Sequence, residues 1–354
     1  MGNYQLFHVI RNHTRRQHWV PQMYLRNWAT SGRLCVADKL NGRVLTNQNT
    51  FNFAQEHDFY GFVDLNPNEL RCLVEWTHMS FLRGIALIEK MLSVMVLNVL
   101  RFRVENQDWS DGFKGAFDAV KPQLYLSDAQ DKMYQLFYSF ASNNIKLPQK
   151  EKDELDKLTE NGFEDFHCAI ENGARLVLEI VKHNDLSFFI SDSQKTMYLL
   201  IYLYDQFFRS RKYLKLIEEN GSEIRCRIGA TNRLVRNFRY FLPVLYYFSS
   251  IRLKGERKLA AIRNESGVEF VTSDAPVVLS GGLHEDLPAL MYFPLSPRAA
   301  IFYGVKRNVN KVISDVGREI HSKKFVSDMN QCVVKECERF IFGSSRQALE
   351  SLRF

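Results

Sequence analysis

The chain has 354 residues and a formal net charge of +7 at pH 7, with 45% hydrophobic and 25% charged side chains. These proportions are those of a globular protein, and the length allows one large domain or two closely packed ones. The six cysteines form no Cys-x-x-Cys pair, and no internal repeat or low-complexity segment is visible. The composition therefore argues against a zinc ribbon and a disulfide framework, and it fits reduced thiols.

The first predicted helix begins at Pro21, because proline is tolerated in a first helical turn, where its missing N–H is not needed. Tyr24, Leu25 and Trp28 then fall on one helical stripe. We expect this stripe to face the core.

Three side chains that suit phosphate chemistry precede this helix, namely Arg15, Arg16 and His18. A helix N-terminus favours an anion, because its N–H groups are free and the positive end of the dipole lies there. We expect His18 to act as a general base or phosphate clamp, with Arg15 or Arg16 stabilising transition-state charge. The alternative for His18 is a structural hydrogen bond that holds the corner at Val20 and Pro21.

A β-hairpin and a helical region follow in the chain. Two strand-like runs, 33–38 and 43–46, flank a bend that contains Asn41-Gly42, which is a hairpin signal. Residues 66–220 are predicted to be mainly helical. The first predicted helix of this region runs from Pro67 to about Val104, with a break near Gly84. The second runs from Pro148 to Lys182, with weak points at Gly162 and Gly173. The third begins at a cap, Asp192 or Ser193, and continues through the apolar segment 197–204.

The C-terminal part mixes strands and helices. Strand-like runs cover 267–272, 277–279, 291–294 and 299–303, and two closing helices are predicted over 309–327 and 329–338. Because short strands need partners, we expect an α+β fold, predominantly helical, with a small sheet built from N- and C-terminal strands. The expected organisation is one composite domain of three segments: 1–65 with the motif helix and hairpin, 66–220, and 221–354.

Acidic side chains offer a candidate metal site. Glu56 and Asp58 project to one side of an extended segment, and Glu69 or Glu75 follows on the next helix. Such an oxygen cluster suits Mg²⁺, which would activate water and neutralise the leaving oxygen in phosphodiester cleavage. The alternative is that these acids are solvated surface groups.

Positive charge is concentrated between residues 225 and 263, where ten Lys or Arg stand against one acid, Glu256. A block of one sign repels itself, and a docked polyanion relieves that repulsion. Aromatic residues interleave with these cations and are expected to stack on bases. The alternative is that the rings are core and the cations pair with acids elsewhere. The residues assigned to a nucleic-acid surface are Arg225, Arg227, Arg233, Arg236, Arg239, Arg252, Lys254, Arg257 and Lys258.

Asp274 is the last candidate catalytic residue. It lies in a strand-to-turn corner ahead of Pro276, where carboxylates often bind a metal or a substrate. The alternative is that its carboxylate satisfies nearby N–H groups. No phosphate loop, dinucleotide glycine motif or G-x-S-x-G elbow is present, so kinase, P-loop ATPase, oxidoreductase and hydrolase classes lose their usual support.

Several segments together resemble family 4238 of bacterial domains of unknown function. The first is 18–28, with the pattern His-x-Val-Pro-x-x-Tyr-Leu-x-x-aromatic, although Gln17 stands where the family usually has a first histidine. The other matching segments are 56–60, 68–70, 270–276, 293–297, Asn330 and 340–342. The resemblance implies no settled activity, but family members occur among bacterial anti-phage defence genes.

The expected protein is therefore a cytoplasmic defence protein that engages DNA or RNA, as a metal-dependent nuclease. The alternatives are a non-enzymatic sensor of a phage protein and an enzyme acting on a small nucleotide at the Pro21 helix. No apolar signal-peptide core opens the chain, and the most apolar run, 81–100, contains Arg83, Glu89 and Lys90. We therefore predict a core helix there, and no membrane partner.

Overall fold

A computed structural model describes residues 16–57, 64–77, 86–124, 126–143, 145–146, 148–183, 185–215, 232–253, 255–284 and 287–353. The chain divides into two compact units. Unit 1 comprises Met1–Gln17, Tyr60–Ala169 and Leu216–Phe241, and unit 2 comprises His18–Phe59, Ile170–Lys215 and Leu242–Phe354.

The described α-helices are α1 Gln22–Leu25, α2 Pro67–Thr77, α3 Ala86–Glu105, α4 Asp111–Val120, α5 Asp128–Ser142, α6 Gln149–Lys182, α7 Phe188–Ser191, α8 Ser193–Phe208, α9 Asn232–Phe238, α10 Leu242–Arg252, α11 Lys306–Val316, α12 Lys323–Glu336 and α13 Arg346–Glu350. The described strands are β1 Arg16–His18, β2 Arg33–Asp38, β3 Arg43–Asn49, β4 Gln55–His57, β5 Arg257–Asn264, β6 Thr272–Ser273, β7 Val278–His284, β8 Leu287–Ser296, β9 Ala299–Val305, β10 Glu319–Ile320 and β11 Phe340–Gly343. None of these helices combines the length and apolar character needed to cross a bilayer.

Unit 1 is helical in its described part. Local signals set its helix starts: Ser110 caps α4, and Ser127 forms a capping box with Gln130 at the start of α5. Helix α2 packs against α4, and α3 packs against α5. The aromatic core of this unit includes Phe117, Tyr134 and Phe137, which are buried.

Unit 2 contains two larger sheets. A four-stranded sheet has the order β3-β2-β11-β6, so it joins the N-terminal hairpin to strands from the far end of the chain. A five-stranded sheet has the order β10-β5-β9-β8-β7 and is formed by the C-terminal part alone. The protein is therefore α+β and predominantly helical, with a small sheet built from both ends of the sequence, as predicted.

The centre of the five-stranded sheet depends on a close backbone approach at Gly304. Gly304 pairs with Lys258 of β5 on one side and Leu290 of β8 on the other. A Cβ atom at this position would lie 2.4 Å from the carbonyl oxygen of Ala289. Only glycine fits here without moving the neighbouring strand.

The two faces of this sheet are covered by different helices. On one face, the rings of Tyr202 and Tyr204 from α8 contact Phe293 and Tyr303. On the other face, Val309 of α11 joins the buried cluster that includes sheet residues. Because successive side chains of a strand alternate, Arg257 projects toward the first face and Lys258 toward the second.

Several local predictions are confirmed and others are wrong. The strand predicted over 267–272 is reduced to β6, because only Thr272 and Ser273 pair with β11. The hairpin appears as β2 and β3 with Gly42 at φ 62°, and Asp192 caps α8. Tyr24, Leu25 and Trp28 are buried, as their stripe predicts. The helix predicted over 309–327 is wrong, because α11 ends at Val316 and Gly317 adopts φ 73°, in the left-handed region that ends helices. The predicted break near Gly84 lies outside the described residues.

Candidate functional site

The first candidate residue, His18, is held inside unit 2. Its side chain is 9% exposed, and its Nε2 lies 3.2 Å from the carbonyl oxygen of Phe51 and 3.2 Å from Nε2 of Gln22. Burial lowers the pKa of His18, and the positive charge of Arg209 acts in the same direction. The imidazole is therefore kept neutral and fixed to its neighbours, which agrees with the structural alternative for this residue.

A buried arginine fixes the backbone beside His18. Arg209 donates from Nη2 to the carbonyl oxygen of His18 and from Nη1 to Oε1 of Glu171 at 2.6 Å. Asp205 is the second carboxylate of this group, with Oδ2 at 3.5 Å from Nη1. Burial raises the pKa of Glu171, while Arg209 opposes that shift. This network supports the corner that precedes α1, so the charge of Arg209 is used within the fold.

The carboxylate of Asp274 binds the backbone of a segment of unit 2 that is distant in the sequence. Its Oδ1 accepts from the N–H of Glu338 at 3.0 Å, and its Oδ2 accepts from Arg339 at 2.8 Å and Phe340 at 2.9 Å. The residue is 3% exposed. Burial raises the pKa of Asp274, and the three N–H donors oppose that shift. The carboxylate thus satisfies backbone donors, which is the structural alternative for this residue.

The His18 corner and the Asp274 turn are close together through Trp19. The indole Nε1 of Trp19 donates to the carbonyl oxygen of Asp274 at 3.2 Å. This contact uses the backbone carbonyl of Asp274, whereas the carboxylate of Asp274 is directed to residues 338–340. This arrangement is a structural junction of unit 2.

The two arginines that precede His18 do not define a described anion site. Arg15 lies outside the described residues, and Arg16 belongs to β1 with a side chain that is not described. Helix α1 is only four residues long and continues as a 3-10 turn over Arg26–Trp28. A single helical turn has little macrodipole, so it gives weak support to phosphate binding.

The predicted acidic cluster is only partly described. In unit 2, Oε2 of Glu56 lies 3.7 Å from Nη2 of Arg211. In unit 1, Glu69 is 4% exposed, accepts from the N–H of Asn66 at 2.7 Å and lies 3.6 Å from Nε of Arg233. Asp58 lies outside the described residues.

Metal binding is not supported by the donor set. In the part of the chain that the structure describes, no group of three or more His, Cys, Asp or Glu side chains is arranged to hold a metal ion. Because Glu69 is used as a helix cap and an ion-pair partner, its oxygens already have donors. The magnesium site stays a prediction, and no step is derived through it.

Some cations of the predicted basic surface are exposed, and others are buried. In unit 1, Arg233 and Arg236 of α9 are exposed, whereas Arg239 is 6% exposed and donates to the hydroxyl of Tyr240 at 2.8 Å. Helix α9 ends at Phe238, so Arg239 lies beyond the helix that carries Arg233 and Arg236. Arg225 and Arg227 lie outside the described residues.

In unit 2 the same division occurs between the end of α10 and the start of β5. Arg252 is exposed and Lys258 is half-buried, whereas Arg257 is 5% exposed because it projects toward α8 and α10. Lys254 lies outside the described residues. Arg239 and Arg257 are therefore corrected from surface residues to buried ones.

The fold adds cations that the sequence analysis missed. Lys306, Arg307 and Lys311 are exposed on the first turns of α11. The N–H of Lys306 donates to the carbonyl oxygen of Glu256 at 2.7 Å, and Nζ of Lys258 donates to Oδ1 of Asn310 at 2.7 Å. These contacts place α11 beside the start of β5.

We name five residues the cationic end of unit 2: Arg252, Lys258, Lys306, Arg307 and Lys311. Among the residues described, no carboxylate pairs with Lys306, Arg307 or Lys311. The signal that could have found them is the run 306–311, Lys-Arg-Asn-Val-Asn-Lys, directly after a strand. Because this run lies far from 225–263 in the sequence, its proximity to Lys258 is not evident from the sequence.

Comparison with known proteins assigns the chain to a family. The family model described as "Protein of unknown function (DUF4238)" matches residues 16–347, nearly the whole chain, so the chain belongs to this family. No curated protein and no solved structure matches it.

Proposed function

We propose that this member of the DUF4238 family binds nucleic acid through the cationic end of unit 2. The observation that carries the proposal is the exposed group Lys306, Arg307 and Lys311, which has no carboxylate partner among the described residues. Cations that carry no intramolecular partner are available to phosphates. The expected biological setting is anti-phage defence, which rests on the resemblance alone.

The location of these cations argues for a role outside the fold. Helix α11 has no acidic residue in its first turn and no side-chain cap, yet Lys306 and Arg307 begin it. Cations near the positive end of a helix dipole are unfavourable by a few tenths of a kcal/mol to about 1 kcal/mol each. A residue choice that disfavours local stability is typical of a binding surface. A phosphate would be attracted both by these side chains and by the positive end of the helix dipole.

The test measures binding of fluorescein-labelled single-stranded RNA and double-stranded DNA by anisotropy at several salt concentrations. Each phosphate contact contributes about 0.7 to 0.9 to the slope of log K against log salt. The triple variant Lys306→Gln, Arg307→Gln, Lys311→Gln is therefore expected to reduce the slope by about 2 to 3 and to weaken binding at low salt.

A matched control removes the same charge elsewhere in unit 2. Arg263, Lys324 and Arg346 each pair with a carboxylate, so their replacement by Gln changes the net charge equally. This control is expected to retain the wild-type slope. The proposal is wrong if neither nucleic acid binds, or if both triple variants change the slope equally.

The same samples separate a binder from a nuclease. Because the carboxylate of Asp274 is engaged by backbone donors, we expect no cleavage that depends on this residue. Incubation with Mg²⁺ and with a chelator, followed by denaturing electrophoresis, tests this. Metal-dependent cleavage would support the nuclease expected from the sequence.

A further inference from the structure

Three of the aromatic residues expected to stack on bases belong to the core. Tyr240 and Phe241 are buried in unit 1, and Tyr247 is buried in unit 2. A base stacks on an aromatic side chain by lying against an open face of its ring. The rings of these three residues are therefore used within the fold, and nucleic acid does not reach them.

Two further aromatic residues of this set, Tyr246 and Phe248, are half-buried on α10 of unit 2. The ring centre of Tyr246 lies 4.6 Å from that of Phe208. The ring centre of Phe248 lies 5.0 Å from that of Tyr247, with the two ring planes at 68°. Both rings thus pack against other aromatic side chains of unit 2. Phe248 is the nearer of the two to the cationic end, because Arg252 follows it by one helical turn.

The cationic end presents charge to solvent. Lys306 and Arg307 are exposed in the first turn of α11, and Lys311 is exposed one helical turn after Arg307, on the same face. Among the Phe, Tyr and Trp side chains that the structure describes, the exposed ones are Phe51 and Phe102, and neither belongs to α10, β5 or α11. In the described part of the chain, the cationic end therefore offers positive charge to phosphates and no exposed ring to bases.

Charge without stacking favours one form of nucleic acid. Double-stranded DNA carries about one negative charge per 1.7 Å of its axis, whereas each strand alone contributes about one per 3.4 Å. A phosphate contact also contributes more to the salt dependence of binding in a duplex, about 0.9 against about 0.7 in a single strand. Proteins that bind single strands add base stacking on aromatic side chains to this electrostatic attraction. Where stacking is missing, the duplex keeps the electrostatic advantage.

We propose that the cationic end binds a nucleic-acid duplex in preference to a single strand, through the phosphates of the duplex backbone. This inference rests on the proposed function, because it concerns the same residues, and it adds the form of nucleic acid that they bind. Duplex DNA and duplex RNA share the backbone chemistry, so the test includes both, and the one that binds more tightly identifies the source.

The test compares ligands of one sequence by fluorescence anisotropy with the full-length protein. The ligands are a fluorescein-labelled DNA strand of about 20 nucleotides, the same strand paired with its complement, and an RNA duplex, so that each can span a whole binding site. With about three to five phosphate contacts and equal affinity extrapolated to about 1 M salt, the difference in slope predicts a duplex affinity about 6- to 20-fold higher at about 50 mM salt. At least one of the two duplexes is expected to show this preference.

Two controls test directly whether bases are stacked. The first is an abasic strand with the same number of phosphates, which is expected to bind within about twofold of the ordinary single strand, because no base contact is lost. The second is Phe248→Leu, which removes a ring and keeps the charge, and which is expected to bind every ligand within about twofold of the wild type. If Phe248→Leu proves unfolded by circular dichroism, the abasic strand still decides the question.

The outcomes separate this inference from the proposed function. If neither a duplex nor a single strand binds, both are wrong. If the single strand binds at least as tightly as both duplexes, and the triple variant Lys306→Gln, Arg307→Gln, Lys311→Gln weakens that binding, the inference is overturned and the proposed function stands. A loss of affinity of about fivefold or more for the abasic strand, or a selective loss of single-strand binding in Phe248→Leu, also overturns the inference.

Discussion

Replacement of Asp274 by alanine tests whether this residue serves the fold. The substitution removes the acceptor of three backbone N–H groups, those of Glu338, Arg339 and Phe340. Each buried donor left without a partner costs about 1 to 3 kcal/mol. Burial raises the pKa of Asp274, so the ionised carboxylate is itself unfavourable and its removal returns part of that cost.

We therefore expect Asp274→Ala to lower the free energy of unfolding by about 3 to 5 kcal/mol. For a unit of this size, the corresponding decrease in Tm is about 10 °C. Differential scanning calorimetry and urea unfolding measure both quantities. Asp328→Ala is the matched control, because Asp328 has a side chain that is 60% exposed and its ion pair among the described residues is with Lys324, one helical turn away. Its effect should stay within about 0.5 kcal/mol.

The reasoning would be refuted by an Asp274→Ala protein whose Tm lies within about 2 °C of the wild-type value. Such a result would mean that the 338–340 segment does not depend on the carboxylate. Asp274 would then again be a candidate for the catalytic role suggested by the sequence.

Two further predictions concern His18 and Gly304. Burial lowers the pKa of His18 from 6.5, so below about pH 6.5 the unfolded chain takes up a proton that the folded chain does not, and stability falls as the pH decreases. His18→Gln should reduce the change in unfolding free energy between pH 7 and pH 5 by at most about 1.4 kcal/mol per pH unit. Parallel plots of unfolding free energy against pH for the two proteins would contradict this prediction. Gly304→Ala should destabilise by about 1 to 3 kcal/mol in urea, because its Cβ would lie 2.4 Å from the carbonyl oxygen of Ala289. Gly255→Ala, where no atom lies within 4 Å of the new Cβ, should be neutral, and equal losses would argue against the close approach.

Short-range signals were sufficient for many elements of this fold. Asn41-Gly42 predicts the hairpin because the turn needs a positive φ, and Gly42 has φ 62°. Asp192 caps α8 with a side chain that accepts from residues two and three positions later. These features depend on neighbouring residues, which the sequence shows directly.

The candidate site was less predictable because its interactions connect distant residues. The donors that engage Asp274 lie 64 to 66 positions later in the chain, so no local pattern reports them. Arg257 and Lys258 are adjacent cations in the sequence, but strand alternation buries one and leaves the other at the surface. Lys306 lies near the start of β5 because α11 directly follows β9, the strand that pairs with β5.

The order of strands in the four-stranded sheet has a consequence for synthesis on the ribosome. Strand β2 pairs with β3 on one side and with β11 on the other, and β11 is Phe340–Gly343, near the end of the chain. While the intervening residues are being translated, one edge of the early hairpin is exposed to other strands. A nascent or truncated chain that lacks β11 keeps this edge open and is prone to aggregation.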